Sequence, residues 1–144
     1  MKKLLIIANS DSAIYKFRSE LIIELAKTFK IGIVVPFGEY MKEIENSNYN
    51  FFDIRVNRHG LNPIEDLKLL YNYNRVIRKF KPDVALLYTV KPNIYGSIAC
   101  SMNKIPCLCN ITGLGTAVET PGFLQKLLIL QICYEKRTYD FLSE

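Results

Sequence analysis

Val84-Ala85-Leu86-Leu87-Tyr88-Thr89-Val90, with Lys81-Pro82-Asp83 before it and Lys91-Pro92-Asn93 after it, is the stretch that decides the fold. An apolar run without alternation is a strand buried on both faces, and such strands belong to parallel sheets covered by helices on each side. Upstream, Pro63 opens a long helix that Lys81-Pro82-Asp83 breaks. A proline is tolerated in a first helical turn, and Asn62 is available as the cap. Leu67, Leu70, Tyr71 and Ile77 form the expected apolar stripe of this helix.

The same alternation runs through the chain. Leu4–Ala8 reads as a first strand, and Phe17, Leu21, Leu25 and Phe29 repeat every four residues as the buried face of a helix. Ile31–Val35 is a second strand, Glu39–Glu45 a short polar helix, and Phe51–Val56 a third strand. Beyond the fourth strand, Asn93–Asn103 is a helix, Cys107–Ile111 a fifth strand, and Gly122–Phe141 a final helix with a wide apolar face. Strands alternating with amphipathic helices make βαβ units. Right-handed crossovers leave the order 3-2-1-4-5 as the natural topology. The expectation is one α/β domain over 1–144, a Rossmann-like open parallel sheet with helices on both faces.

Composition narrows the function. The chain has 144 residues, 49% hydrophobic and 23% charged, which suits one globular core. A net charge of +5 fits an anionic partner such as a phosphate, a nucleotide or an acidic membrane surface, and with no Trp and no basic arm no nucleic-acid partner is expected. Cys100, Cys107, Cys109 and Cys133 match neither a redox nor a zinc spacing and read as buried, reduced thiols. Leu4–Ala8 is too short for a signal-peptide core, and Leu127–Cys133 too short to span a bilayer, so a cytoplasmic location is expected. Arg75, Arg78 and Lys79 share a helical face near its C-terminus, where cations complement the dipole; contact with a membrane surface is the other reading.

Ligands of open parallel sheets bind beyond the carboxyl ends of the strands. Those positions hold Asn9-Ser10-Asp11-Ser12 after the first strand, then Arg55, Asn57, Arg58, His59 and Gly60 around the end of the third. Tyr88-Thr89 and Lys91-Pro92-Asn93 follow the fourth, and Asn110-Ile111-Thr112-Gly113-Leu114-Gly115 the fifth. The rim is donor-rich and net positive, suited to an anionic, hydroxyl-bearing ligand. Each element also has a plainer reading: Lys91 as a solvated loop lysine, His59 as a turn residue beside Gly60, and Gly113 and Gly115 as turn-makers. The first turn lacks GxGxxG and GxxxxGK[ST], and one histidine in the whole chain supports neither a Ser–His–Asp set nor a metal cluster.

Arg58-His59-Gly60-Leu61-Asn62-Pro63, Lys81-Pro82-Asp83, Tyr88-Thr89-Val90-Lys91-Pro92-Asn93-Ile94-Tyr95-Gly96 and Ile111-Thr112-Gly113-Leu114-Gly115 fall in an order that resembles the amino-terminal domain of family 4 glycosyltransferases. The subgroup most similar adds N-acetylhexosamines to polyprenyl-diphosphate-linked sugars, as the bacterial enzyme extending diacetylbacillosamine on undecaprenyl diphosphate does in glycan and polysaccharide synthesis. The resemblance implies the amino-terminal half of a GT-B fold, which holds the acceptor, while a carboxyl-terminal domain holds most of the UDP-sugar. It implies retaining transfer with no metal or other cofactor. Two departures stand out. Thr112-Gly113 and Asn9-Ser10 replace the family's histidine after the fifth strand and glycine pair after the first, and the family's Glu-x7-Glu donor pair has no counterpart.

The expected function is therefore acceptor binding for sugar transfer from a UDP-sugar to a lipid-linked or cell-surface glycan, with the donor domain absent from this chain and the catalytic residues unassigned. Lys91 and Arg58 would meet an acceptor diphosphate; Thr89, Asn93 and Thr112 would bond sugar hydroxyls; Gly113 and Gly115 would let the donor phosphates approach. Asn9, Ser10 and His59 complete the expected cleft. Two rivals stand beside it. One is a non-catalytic subunit that recruits the acceptor at the inner membrane for a donor-binding partner chain; the other is an inactive truncated product.

Overall fold

The computed structural model describes residues 1–44, 48–57 and 62–110. Five parallel strands form one sheet in the order β3-β2-β1-β4-β5, the order expected from the crossover rule. They are β1 (Lys2–Ile7), β2 (Phe29–Val35), β3 (Asn50–Asp53), β4 (Val84–Tyr88) and β5 (Cys107–Asn110). The helices are α1 (Asp11–Ala26), α2 (Met41–Ile44), α3 (Pro63–Phe80) and α4 (Ser97–Met102), the last entered through a π-helical segment, Pro92–Gly96.

Side chains alternate across β1 and so divide the core in two. Leu5 and Ile7 join Val34, Ala85 and Leu87 beneath α3 and α4, where Leu69, Tyr73, Ile77, Phe80, Ala99 and Cys100 close the layer. Leu4, Ile6 and Ala8 join Ile31, Ile33 and Val35 on the other face, covered by Ile14 and Ile22 of α1 and by Met41. Burying each such aliphatic side chain contributes roughly 1.5–3 kcal/mol. The α3 layer lies so close to the sheet that a Cβ at Gly32 would stand 2.9 Å from the Phe80 ring, which is why β2 carries a glycine there.

Two helix faces differ from the sequence expectation. On α1 the inward row is Ile14, half-buried Arg18, Ile22 and, from the expected face, half-buried Leu25, whereas Phe17 is 72% exposed and Leu21 45% exposed. The helix ends at Ala26 and Phe29 already opens β2, so the four-residue repeat ran across a helix–strand boundary. On α3 the buried residues are Leu69, Tyr73, Val76, Ile77 and Phe80, while Leu67 and Tyr71 face solvent. Only Ile77, with half-buried Leu70, belongs to the expected stripe.

Strand ends also move. β3 stops at Asp53, three residues early, because its partner β2 ends where Pro36 offers no amide to continue the ladder. β4 stops at Tyr88 because Thr89 takes a φ of 74° and turns the chain out of the sheet. The Asn62 cap does form, its side-chain oxygen accepting from the Ile64 amide, with Pro63 in the first turn. Cys107 and Cys109 share a face of β5 against the α3 core, and Cys100 is a buried, free thiol. Arg75, Arg78 and Lys79 are exposed. Among the described residues no helix is long and apolar enough to cross a membrane. Cys133, the helix expected at 122–141 and the end of the fifth strand at Ile111 lie outside the described residues.

Candidate functional site

The carboxyl edge of the sheet is shaped by how the chain leaves β4. Thr89 is β-branched, and holding it at φ 74° costs on the order of 1–3 kcal/mol. Its carbonyl then accepts from the Asn93 amide at 2.9 Å, closing the first helical turn immediately after the strand. Lys91 and Tyr95, four residues apart, consequently project from the same side of that turn. Asn93 is 2% exposed and its side-chain amide donates to the Asn110 carbonyl at 3.1 Å, which ties the turn to the end of β5. A Cβ at Gly96 would lie 3.1 Å from Leu87, so this segment packs directly on β4. π-helical turns of this kind occur often at functional sites.

Lys91 and Tyr95 converge on one carboxylate. Lys91 Nζ lies 2.7 Å from Asp66 Oδ1, and the Tyr95 hydroxyl donates to Asp66 Oδ2 at 2.9 Å. The paired side chains are only 10% and 13% exposed. Burial, then the bond to Asp66 and its negative charge, push the Tyr95 hydroxyl up to about 12. Asp66 sits in the first turns of α3, where acids complement the helix dipole. That explains an acid near Pro63 but not one buried against a lysine from the far side of a crossover. The strand-end reading found Lys91 and missed Asp66.

Lys91 and Asp66 form one wall of a cavity of about 310 Å3 at the mouth of β3, α3 and β4. Asp53, Ile54, Arg55 and Asn57 contribute from the β3 side, and Glu65, Lys68, Leu69 and Asn72 from α3. Asn57 donates to Glu65 at 2.9 Å, which pins the rim to the helix. A second recess of about 350 Å3, mostly apolar, opens between α1 and β4, lined by Ala8, Ile14, Phe17, Arg18, Tyr88 and Thr89. The Arg18 guanidinium lies 4.8 Å from the centre of the Tyr88 ring. Burial pushes the Tyr88 hydroxyl up, and the charge of Arg18 partly offsets it.

Of the strand-end residues expected from the sequence, Arg55, Asn57 and Lys91 line the first cavity, and Tyr88 and Thr89 the second. The Thr89 hydroxyl and the Asn93 side-chain oxygen are buried and have no hydrogen-bond partner among the described residues. Ser10 is spent locally: it caps α1 by accepting from the Ala13 amide at 3.3 Å and pairs with the Ser12 hydroxyl at 2.5 Å. Asn9 is half-buried and already engaged. Asp11 holds the neighbouring loop, accepting from the Tyr40 amide at 3.0 Å. Arg58, His59, Gly60, Ile111, Thr112, Gly113, Leu114 and Gly115 lie outside the described residues. Among the described residues no group of His, Cys, Asp and Glu could hold a metal ion.

A five-stranded Rossmann-like sheet with a polar cavity at its carboxyl edge is common to many enzymes, and sequence comparison decides among them. The family model for glycosyl transferase 4-like domains matches residues 3–141. The chain belongs to the glycosyl transferase 4-like family. No curated protein sequence matches it. Solved structures similar to this glycosyl transferase 4-like domain include UDP-GlcNAc 2-epimerase from Neisseria meningitidis bound to UDP-GlcNAc, with 19% identity, a TM-score of 0.62, and 91% of this chain covering 39% of that one. MurG from Acinetobacter baumannii gives 16% identity and a TM-score of 0.60, with 87% and 38% covered. A glycosyltransferase from Rickettsia africae gives 13% and 0.62, with 87% and 35% covered. At these identities the likeness is one of fold, and the glycosyl transferase 4-like chain spans less than two fifths of each structure.

Proposed function

We propose that this chain is the acceptor-binding half of a retaining, metal-independent glycosyltransferase. It takes part in moving a sugar, an N-acetylhexosamine, from a UDP-sugar to a lipid-linked or cell-surface glycan. The observation that carries this reading is the Lys91–Asp66 pair, held by Tyr95, walling a cavity at the carboxyl edge of a glycosyl transferase 4-like domain. In open α/β sheets that edge is where ligands bind. The buried ion pair supports the reading too, since such pairs contribute little to stability and call for another reason to be present. The UDP-GlcNAc bound by the Neisseria epimerase supports a nucleotide-sugar as co-substrate, held mainly by a second domain or a partner chain facing this edge. The chain works at the cytoplasmic face of the membrane.

The test is transfer from a UDP-N-acetylhexosamine to a polyprenyl-diphosphate-linked sugar, with the chain joined to or supplied with a donor-binding domain. Lys91→Ala is expected to cut turnover by about tenfold or more, the loss of one hydrogen bond from a charged group. Wild-type turnover in that variant would remove Lys91 from the site.

A further inference from the structure

We infer that the cavity at the mouth of β3, α3 and β4 recognises a neutral sugar ring, with Lys91 and Asp66 gripping its hydroxyls together, and that it discriminates against phosphate. The inference rests on the acceptor-site reading above and specifies which part of the acceptor this cavity takes. A lysine at a strand end invites assignment to an anion. Here, however, the ammonium already faces a carboxylate at 2.7 Å, so an incoming phosphate would meet a like charge within hydrogen-bond distance of the cation meant to hold it. Among the described residues the lining offers no surplus cation: Asp53, Glu65 and Asp66 are balanced by Arg55, Lys68 and Lys91.

A hydroxyl suits the same pair. It is at once a donor and an acceptor, so it can donate to a carboxylate oxygen and accept from an ammonium without separating them. Vicinal hydroxyls on a pyranose do this twice. Tyr95 holds the other carboxylate oxygen at 2.9 Å, so Asp66 cannot swing aside to admit an anion without breaking that bond. Asn72 and Asn57 add neutral amides to the lining, each able to donate and accept. The volume of about 310 Å3 stands at the small end of the ~300–1,000 Å3 typical of ligand sites, which suits one or two sugar rings.

The experiment titrates the full chain with methyl N-acetyl-galactosaminide and, separately, with inorganic pyrophosphate, following backbone amide shifts by NMR. The expected result is a sugar-dependent shift of amides around Lys91 and Asp66, insensitive to salt because no net charge is transferred. Asp66→Asn keeps an acceptor for Tyr95 while removing the charge. It is expected to weaken sugar binding about ten- to a hundredfold and to strengthen pyrophosphate binding. If that variant does not fold, competition on the wild-type chain decides, since pyrophosphate should not displace the sugar. Displacement by pyrophosphate, or unchanged sugar affinity in Asp66→Asn, would overturn the inference and leave the acceptor reading standing. No shift near Lys91 with either probe would sink both.

Discussion

Removing Lys91 and Asp66 one at a time and together separates a coupled pair from two independent polar residues. At 2.7 Å the attraction between the charges is on the order of 6 kcal/mol at an effective dielectric of about 20. Desolvating two ions costs several kcal/mol each, so the intact pair adds little net stability. Breaking it is different, because the surviving charge stays largely desolvated. Lys91→Met and Asp66→Asn should each cost about 3 kcal/mol, the low end for buried pairs, because each side chain keeps about a tenth of its surface in water. The double variant removes both charges at once and should lose no more than either single variant, instead of the sum of about 6 kcal/mol that independent sites would give. Urea unfolding followed by circular dichroism measures all four proteins, with equal m-values required so that the free energies are comparable. Additivity within about 0.5 kcal/mol would show that the charges do not couple and that Lys91 and Asp66 act as separate polar residues.

Two further outcomes follow from single hydroxyls. Tyr73 is fully buried, its hydroxyl has no hydrogen-bond partner among the described residues, and burial pushes its ionisation far above the ordinary tyrosine value. Tyr73→Phe should therefore raise stability by about 1 kcal/mol, measured by the same urea unfolding, and a loss of that size would mean that the hydroxyl is satisfied after all. Tyr95 is raised from 10.0 to about 12, so its contribution is fully present below pH 10 and is lost as pH climbs through 12. Tyrosinate absorbance should show Asp66→Asn moving this titration down but not fully to the ordinary value, since burial is the largest cause; an unmoved titration would contradict the contact.

What the sequence disclosed and what it hid have one physical cause. Sheet order was legible because it depends on coarse features: continuous apolar runs, helical intervals and a fixed crossover hand. The run Leu4–Ala8 and the run Val84–Tyr88 pair side by side at the sheet centre, where both faces are covered and no polar residue interrupts. Helix phase was not legible, because apolar residues on α1 and α3 also face water. Phe17 and Leu21 outweighed the inward row that includes Arg18, and Leu67 and Tyr71 outweighed the row through Leu69, Tyr73, Ile77 and Phe80. That second error concealed the site. Continued one turn toward the N-terminus, the true α3 row reaches Asp66, three residues before Leu69 and seven before Tyr73. An acid on the buried row of a helix demands a partner, since an unpaired carboxylate there would be costly. On the expected phase, Asp66 was only another first-turn acid. The partner demand could have been met from the sequence alone, because Lys91 and Tyr95, one helical turn apart at a strand's carboxyl end, are the cation and the hydroxyl donor that two carboxylate oxygens require. The motif Tyr88–Gly96 is thus half of a site whose other half is a single residue of α3. That completeness requires both halves, and so the Lys91–Asp66 coupling measured by the double variant tests the motif's meaning as much as its energy.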